Sequence, residues 1–179
     1  MKLEAKQRLR ASEIEPHAKN LISHAVHALK AVVFVDGRKA TNIKKVATAL
    51  TKAGLKAKVI SDLYRNSSPA YTKLNDDTLY LNDACDFWGV PAYVTKKKYV
   101  AGLLSSDDPM HFIYHEYAHI AKSLSDVRWQ GNEEAVAAKV SKYATQNRNE
   151  FIAEYTAGVM AGKSYSQDVD DLYTKLMEL

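Results

Sequence analysis

The chain lacks several features that define common protein classes. Its 179 residues include a single cysteine, Cys85, which excludes an internal disulfide. No run of eighteen apolar residues occurs, so we expect no membrane span. Residues 1–8 are charged throughout and contain no hydrophobic signal region, so nothing there directs secretion by a signal peptide. These absences leave the localisation open, since they are compatible with the cytoplasm and with export by another route.

The chain also lacks an excess of charge of one sign and the motifs of several enzyme classes. Its net charge is +4, and the densest basic runs are Lys44-Lys45 and Lys96-Lys97-Lys98. No nucleic-acid-binding module accompanies these runs, so we expect no nucleic-acid partner. There is no Walker loop, no G-x-G-x-x-G and no serine or cysteine nucleophile signature. The length predicts a single domain over residues 1–179, with residues 1–15 forming a loosely attached N-terminal helix.

The most informative stretch is His115-Glu116-Tyr117-Ala118-His119, an H-E-x-x-H pattern. An α-helix turns about 100° per residue, so side chains four positions apart project from nearly the same face. His115 and His119 can therefore meet one metal ion. Glu116 lies on the rim of that face, where it can act on a water molecule without being a ligand. Two imidazoles with an adjacent carboxylate base are characteristic of zinc hydrolases.

The flanking residues predict that this motif lies inside a helix of about four turns. Asp108 suits the N-cap, and Pro109 suits the first helical position, where no backbone N–H is needed. Apolar residues follow at helical positions. A second interpretation stays open, in which the helix is merely amphipathic and its histidines are partly buried and hydrogen-bonded. His111 favours that interpretation, because it forms a row with the two motif histidines at four-residue steps.

A catalytic zinc ion needs a third protein ligand. Cys85 is a poor candidate because no other ligand pattern accompanies it. Glu150 and Glu154 lie four apart in a second predicted helix, so both carboxylates share one face. Glu150 can bind the metal while Glu154 accepts the spare N–H of a ligand histidine. The alternative is an exposed acidic face, which is also what we expect of the other acidic groups: Glu133, Glu134, Asp168, Asp170 and Asp171.

H-E-x-x-H followed some thirty residues later by N-E-F-x-A-E resembles the gluzincin metallopeptidases of the anthrax lethal factor type. The resemblance implies that Glu150 is the third zinc ligand and that Glu154 supports a ligand histidine. It also implies that Tyr143, seven residues before Glu150, faces the reacting oxygen. It covers about residues 109–160 only, and the other domains of that toxin have no counterpart here.

The resemblance implies a zinc-dependent endopeptidase with one catalytic zinc ion and a protein or peptide substrate. Glu116 would act as the general base, and Tyr143 would stabilise the developing oxyanion. Two alternatives stay open. One is a zinc hydrolase of cell-wall peptides, and the other is a non-catalytic structural protein or virion and assembly component that retains the helix pair. The sequence does not indicate an oligomeric state.

The pattern along the chain predicts an α+β, zincin-like fold with a small mixed sheet, an active-site helix and a mostly helical C-terminal half. Residues 31–35, 56–61 and 78–82 are predicted as strands. By analogy with gluzincins, we assign residues 78–82 to the edge strand beside the catalytic helix. Thr41 is predicted to cap the helix before Gly54, and the last helix is predicted to pack over the catalytic pair.

Overall fold

The computed structural model describes the backbone from residue 11 to residue 179 and the side chains from residue 20 onward. Most of the predicted N-terminal helix over residues 1–15 therefore lies outside the described residues, and the single-domain assignment stays a prediction. The described elements are α1 (Ala11–Leu29), α2 (Lys39–Lys52), β1 (Ala57–Ile60), β2 (Ala70–Tyr71), β3 (Leu79–Asn82), α3 (Pro91–Val100), α4 (His111–Ala121), α5 (Glu133–Ala137), α6 (Arg148–Met160) and α7 (Gln167–Met177). The predicted α+β class is confirmed.

The three strands form one mixed sheet in the order β1-β3-β2. β3 pairs in parallel with β1 and antiparallel with β2. The prediction that residues 78–82 form the edge strand is wrong, because β3 is the middle strand. Leu79 and Leu81 are fully buried, and such a strand needs neighbours on both edges and cover on its faces. The strand that lies against α4 is β2, at one edge of the sheet.

Residues 32–35 do not form the predicted strand, although 57–60 do. The side chain of Asn42 replaces a strand partner: its Oδ1 accepts from the Val35 N–H at 2.9 Å, and its Nδ2 donates to the Val35 carbonyl at 2.8 Å. A side chain has thus satisfied backbone groups that a sheet would otherwise pair. Thr41 is not a cap either, since α2 already begins at Lys39.

The buried side chains form two clusters, and the helix pair α4 and α6 connects them. The first lies between α1, α2, the sheet and α4, and includes Leu50, Leu81, Trp88 and Ile113. The second lies between α5, α6 and α7, and includes Phe151, Ile152, Val169, Leu172 and Leu176. α7 thus packs on α6, one helix of the predicted catalytic pair, and on α5. Among the described residues, no helix is both long and apolar enough to cross a membrane.

Candidate metal centre

Helix α4 carries the H-E-x-x-H motif but begins later than predicted. Met110 is the N-cap residue, and the Asp108 carboxylate accepts a hydrogen bond from its N–H at 2.7 Å. Asp108 therefore stabilises the turn before the helix rather than capping it. The helix has 11 residues, about three turns rather than four. His115, Glu116 and His119 nevertheless all lie within it.

Helix α6 presents Glu150 from its first turn. The side chain of Asn147 caps this helix by accepting hydrogen bonds from the Asn149 N–H at 2.9 Å and the Glu150 N–H at 3.0 Å. Asn149 in turn binds the backbone of Leu124, which follows α4. Since the cap fixes the backbone at Glu150 and Asn149 ties that end to the chain after α4, the carboxylate is directed toward the motif histidines.

The structure brings together the three predicted metal ligands. Nε2 of His115 lies 3.1 Å from Nε2 of His119. The Glu150 Oε2 atom lies 3.0 Å from the first of these nitrogens and 3.5 Å from the second. All three atoms therefore converge on one point between α4 and α6, where a single ion can contact each of them. Two imidazoles and one carboxylate form the ligand set of several catalytic zinc sites.

The protonation of the site indicates that it favours a positive charge. Burial lowers the pKa of His115, but the carboxylates of Glu150 and Glu154 raise it more, to about 10 in the protein chain by itself. Burial raises the pKa of Glu150, but His115 and His119 bring it down to about 2. Two ionised carboxylates on either side of one imidazole therefore favour a positive charge between them. A metal ion that binds there must displace the proton on His115 Nε2.

Glu150 itself provides a test of whether a metal fits. Its Oε2 atom is buried and has no well-aligned hydrogen-bond donor, although His115 Nε2 lies 3.0 Å away, which is unusual for an ionised oxygen. The side chain is 19% exposed, so one side of the group faces the open cleft. A buried acceptor without a well-aligned donor, next to two imidazole nitrogens and an opening, fits a metal ligand. The nitrogen-rich donor set favours zinc over magnesium or calcium.

Glu154 lies behind the ligands in a fully buried position. Its Oε1 accepts from His115 Nδ1 at 2.9 Å and from His111 Nε2 at 2.9 Å. Its Oε2 accepts from the Ser105 N–H at 2.8 Å and the Ser141 hydroxyl at 2.9 Å. Burial opposes ionisation of this carboxyl, but the two histidines hold its pKa well below the usual range. The predicted contact with a ligand histidine is therefore present, and that histidine is His115.

Glu116 projects beside the ligands and does not join them. The Thr72 hydroxyl, next to β2, donates to its Oε2 at 3.3 Å. Burial raises the pKa of Glu116, and the neighbouring histidines only partly offset this effect. A carboxylate of raised pKa that retains a free oxygen is a stronger base than an ordinary surface glutamate. The structure therefore places Glu116 where the sequence predicted it, on the rim of the ligand face.

Tyr143 lies across the cleft from α4. Its ring centroid is 5.6 Å from that of His115, and its N–H donates to the Leu103 carbonyl at 3.2 Å. Partial burial and the nearby carboxylates, Glu150 foremost, raise the pKa of its hydroxyl. The hydroxyl therefore stays protonated near neutral pH and is available as a hydrogen-bond donor. The side chain is 39% exposed, so a bound molecule can reach it.

Two cavities flank the ligands. One of about 870 Å³ borders His119 and Glu150, and residues 72–77 form part of its wall. The other, of about 380 Å³, borders His115, Glu116 and Tyr143, and residues 67–70 form part of its wall. The segment around β2 therefore passes both cavities. An extended chain lying along this segment can cross the site and continue on both sides.

Several residues around the site were not predicted from the sequence. His111 was assigned only to the amphipathic interpretation, although its four-residue spacing from His115 was a signal that it shares the ligand face. Ser105 and Ser141 lie 49 and 13 residues from Glu154 along the chain, and no spacing rule connects them. Thr72 belongs to no motif in the sequence, and only the packing of β2 against α4 brings it to Glu116.

No protein-family model, no curated protein and no solved structure matches the chain.

Proposed function

We propose that the protein is a zinc-dependent endopeptidase of the gluzincin type. The observation that carries this proposal is the convergence of His115 Nε2, His119 Nε2 and Glu150 Oε2 within 3.5 Å of one another. Glu116 and Tyr143 border the same cleft, one as a base and the other as a donor. This set contains each group that hydrolysis of a peptide bond by an activated water requires.

Each residue of the site would have a separate role in the reaction. His115, His119 and Glu150 would hold the zinc ion, and the ion supplies the Lewis acidity that makes water nucleophilic near neutral pH. Glu116 removes the proton from the attacking water and delivers it to the leaving nitrogen. The Tyr143 hydroxyl donates to the carbonyl oxygen of the scissile bond as negative charge develops on it. Glu154 orients the imidazole of His115 through its Nδ1–H.

The cavities support cleavage within a chain rather than at its end. Because space is present on both sides of the ligands, a substrate has no need to end at the site. β2 pairs with β3 and lies at the edge of the sheet beside α4. Its backbone is thus positioned to align an extended substrate by strand pairing. By analogy with gluzincins, the strand expected to pair with the substrate is therefore β2 and not the strand at residues 78–82.

The test is a metal assay combined with a cleavage assay on the full chain. Protein purified without added zinc is analysed for metal and then incubated with a mixture of proteins, peptides and cell-wall peptides, with and without a chelator. We expect one zinc ion per chain and internal cleavage of peptides that stops with chelator and resumes with zinc.

Each other outcome contradicts a defined part of the proposal. Cleavage confined to cell-wall peptides would assign the same chemistry to the alternative substrate. Bound zinc with no cleavage would favour the non-catalytic assembly protein, and a chain that takes up no zinc would contradict the metal centre itself.

A further inference from the structure

We propose that His111 is a positioning residue of the metal centre, acting on His115 through Glu154. The inference rests on the proposed zinc site and adds a residue that the H-E-x-x-H and glutamate motifs do not contain. His111 is fully buried on the same face of α4 as the ligands, one turn before His115. It would not touch the metal. Its role would be to fix the Glu154 carboxylate, which in turn orients His115.

The contacts form a continuous buried chain of hydrogen bonds. The Ser106 hydroxyl lies 3.0 Å from His111 Nδ1, and His111 Nε2 lies 2.9 Å from Glu154 Oε1. The same oxygen lies 2.9 Å from His115 Nδ1. The opposite nitrogen of His115 faces Glu150 and His119. The chain therefore runs from the buried serine at one end to the ligand cluster at the other.

The positions of the hydrogens follow from the chemistry of the carboxylate. An ionised carboxylate only accepts hydrogen bonds, so both ring nitrogens that contact Glu154 Oε1 must carry a hydrogen. His115 is thereby fixed with a hydrogen on Nδ1, and its Nε2 is the atom available to a metal. A second donor on the same oxygen, from His111, stabilises the negative charge that orients His115.

His111, His115 and Glu154 could themselves be taken for a metal site, since their donor atoms are close enough. Their hydrogen bonds argue against this. All the polar atoms of Glu154 are already bonded to donors, and both His111 and Glu154 are completely buried. A catalytic zinc ion needs an open coordination position. The outer cluster of His115, His119 and Glu150 borders the open cleft and provides one. The inner cluster of His111, His115 and Glu154 does not.

Substitutions at position 111 test the proposal without any substrate. His111→Leu removes the donor to Glu154, whereas His111→Gln retains an amide N–H at a similar distance from the backbone. We expect His111→Leu to weaken zinc affinity about 10–100-fold, measured by competition with a chromophoric chelator, and His111→Gln to recover most of that loss. His24→Leu, which changes an exposed histidine of α1, should leave the affinity unchanged.

A spectroscopic measurement separates positioning from a loss of packing. In the cobalt-substituted protein, the visible absorption reports the geometry of the metal ligands. We expect His111→Leu to alter that spectrum and His111→Gln to resemble the wild type. If His111→Leu does not fold by circular dichroism, Ser106→Ala takes its place, because it removes only the outermost hydrogen bond and should weaken zinc affinity by a smaller factor.

The outcomes are distinct. A folded His111→Leu protein with wild-type zinc affinity and cobalt spectrum overturns the proposal, as does an unchanged Ser106→Ala affinity where the leucine variant does not fold. If the His119→Ala protein still binds zinc and the His111→Leu protein does not, the metal lies in the inner cluster. That result also overturns the proposal. Zinc affinity is measured without substrate, so a lack of peptidase activity contradicts the proposed reaction alone. A wild-type chain that binds no zinc contradicts both.

Discussion

Glu116 differs from the other two carboxylates of the site in its partners. Glu150 and Glu154 are next to imidazoles that hold their pKa values down, whereas burial raises the pKa of Glu116 and Thr72 is its hydrogen-bond donor. Environments that separate the pKa values of neighbouring carboxylates also separate their chemical roles. At the residue scale, this contrast supports the proposed roles of Glu116 as the base and Glu150 as the ligand.

Glu116→Gln should keep the zinc ion and the fold and lose turnover. The amide retains the shape of the side chain but cannot take a proton, and general-base catalysis contributes a factor of about 100–10,000. Metal analysis, circular dichroism and the cleavage rate check this. Glu134→Gln, on the exposed side of α5, is the matched control and should keep full activity. Loss of zinc together with the fold would contradict the base assignment.

Glu150→Ala should weaken zinc binding. The substitution removes one of the three proposed ligands and leaves the imidazoles of His115 and His119 without the carboxylate that faces them. The measurement is zinc content after dialysis against a weak chelator, with Glu134→Ala as the control. An unchanged zinc content would mean that another residue is the third ligand.

Tyr143→Phe should lower the cleavage rate while zinc binding stays the same. The hydroxyl is protonated near neutral pH and borders the cavity that contains Glu116. Removing one oxyanion donor typically lowers the rate about 100–1000-fold. Tyr93→Phe, at an exposed position of α3, provides the control. An equal effect on zinc affinity and on rate would instead indicate that Tyr143 supports the ligands.

At the element scale, the relative position of α4 and α6 decides whether the ligands meet. A buried ion pair fixes the start of α6: Arg148 donates from Nε and Nη2 to the Glu133 carboxylate, both at 2.8 Å. Lys175 of α7 donates to the same group at 3.0 Å. The prediction that Glu133 belongs to an exposed acidic surface is wrong, because its partner comes from a helix fifteen residues later.

Arg148→Met should destabilise the protein by about 3–5 kcal/mol near neutral pH, since it leaves Glu133 buried without its bidentate partner. Burial raises the pKa of Glu133, but Arg148 and Lys175 bring it down from 4.5 to about 2. The wild-type stabilisation is therefore complete above pH 4.5 and is lost as the pH falls toward 2.

The cost of Arg148→Met should accordingly shrink over that range, as measured by urea unfolding at several pH values. Arg128→Met breaks an exposed pair with Asp126 and should leave the free energy of unfolding almost unchanged, because solvent screens that pair. A pH-independent cost for Arg148→Met would mean that packing, rather than the ion pair, is responsible.

The elements themselves were predictable to different degrees. Helices α4 and α7 follow from apolar spacing, and the residues of β1 and β3 were identified, because these signals are local. The order of the strands was not predicted, since pairing depends on which surfaces the helices cover. Residues 32–35 resemble a strand in composition, but the side chain of Asn42 competes for their backbone groups.

At the scale of the whole molecule, metal binding should raise the thermal stability. The proposed ligands come from two helices that meet at the junction between the buried clusters, so an ion held by them would bind the folded chain and not the unfolded one. Free zinc at 100 times its Kd should stabilise the fold by about 2.7 kcal/mol, which corresponds to a rise in Tm of roughly 5–10 °C.

Calorimetry with zinc, with magnesium and with a chelator checks this prediction. Magnesium should have little effect, because it prefers oxygen ligands to imidazole nitrogen. The Glu150→Ala protein should show a smaller zinc shift than the wild type. An equal shift in both proteins would place the stabilising zinc at another site.

The sequence by itself determined the parts of the site that one helix can fix. The period of an α-helix sets which side chains share a face, so His115, Glu116 and His119 follow from their spacing, as do Glu150 and Glu154. The tertiary structure decided everything that joins separate segments. It brought Glu150 to the histidines, made Glu154 the acceptor for both His111 and His115, and turned the segment around β2 toward the cleft. These contacts connect residues from 31 to 44 positions apart, and only the packing of helices and sheet against one another fixes such distances.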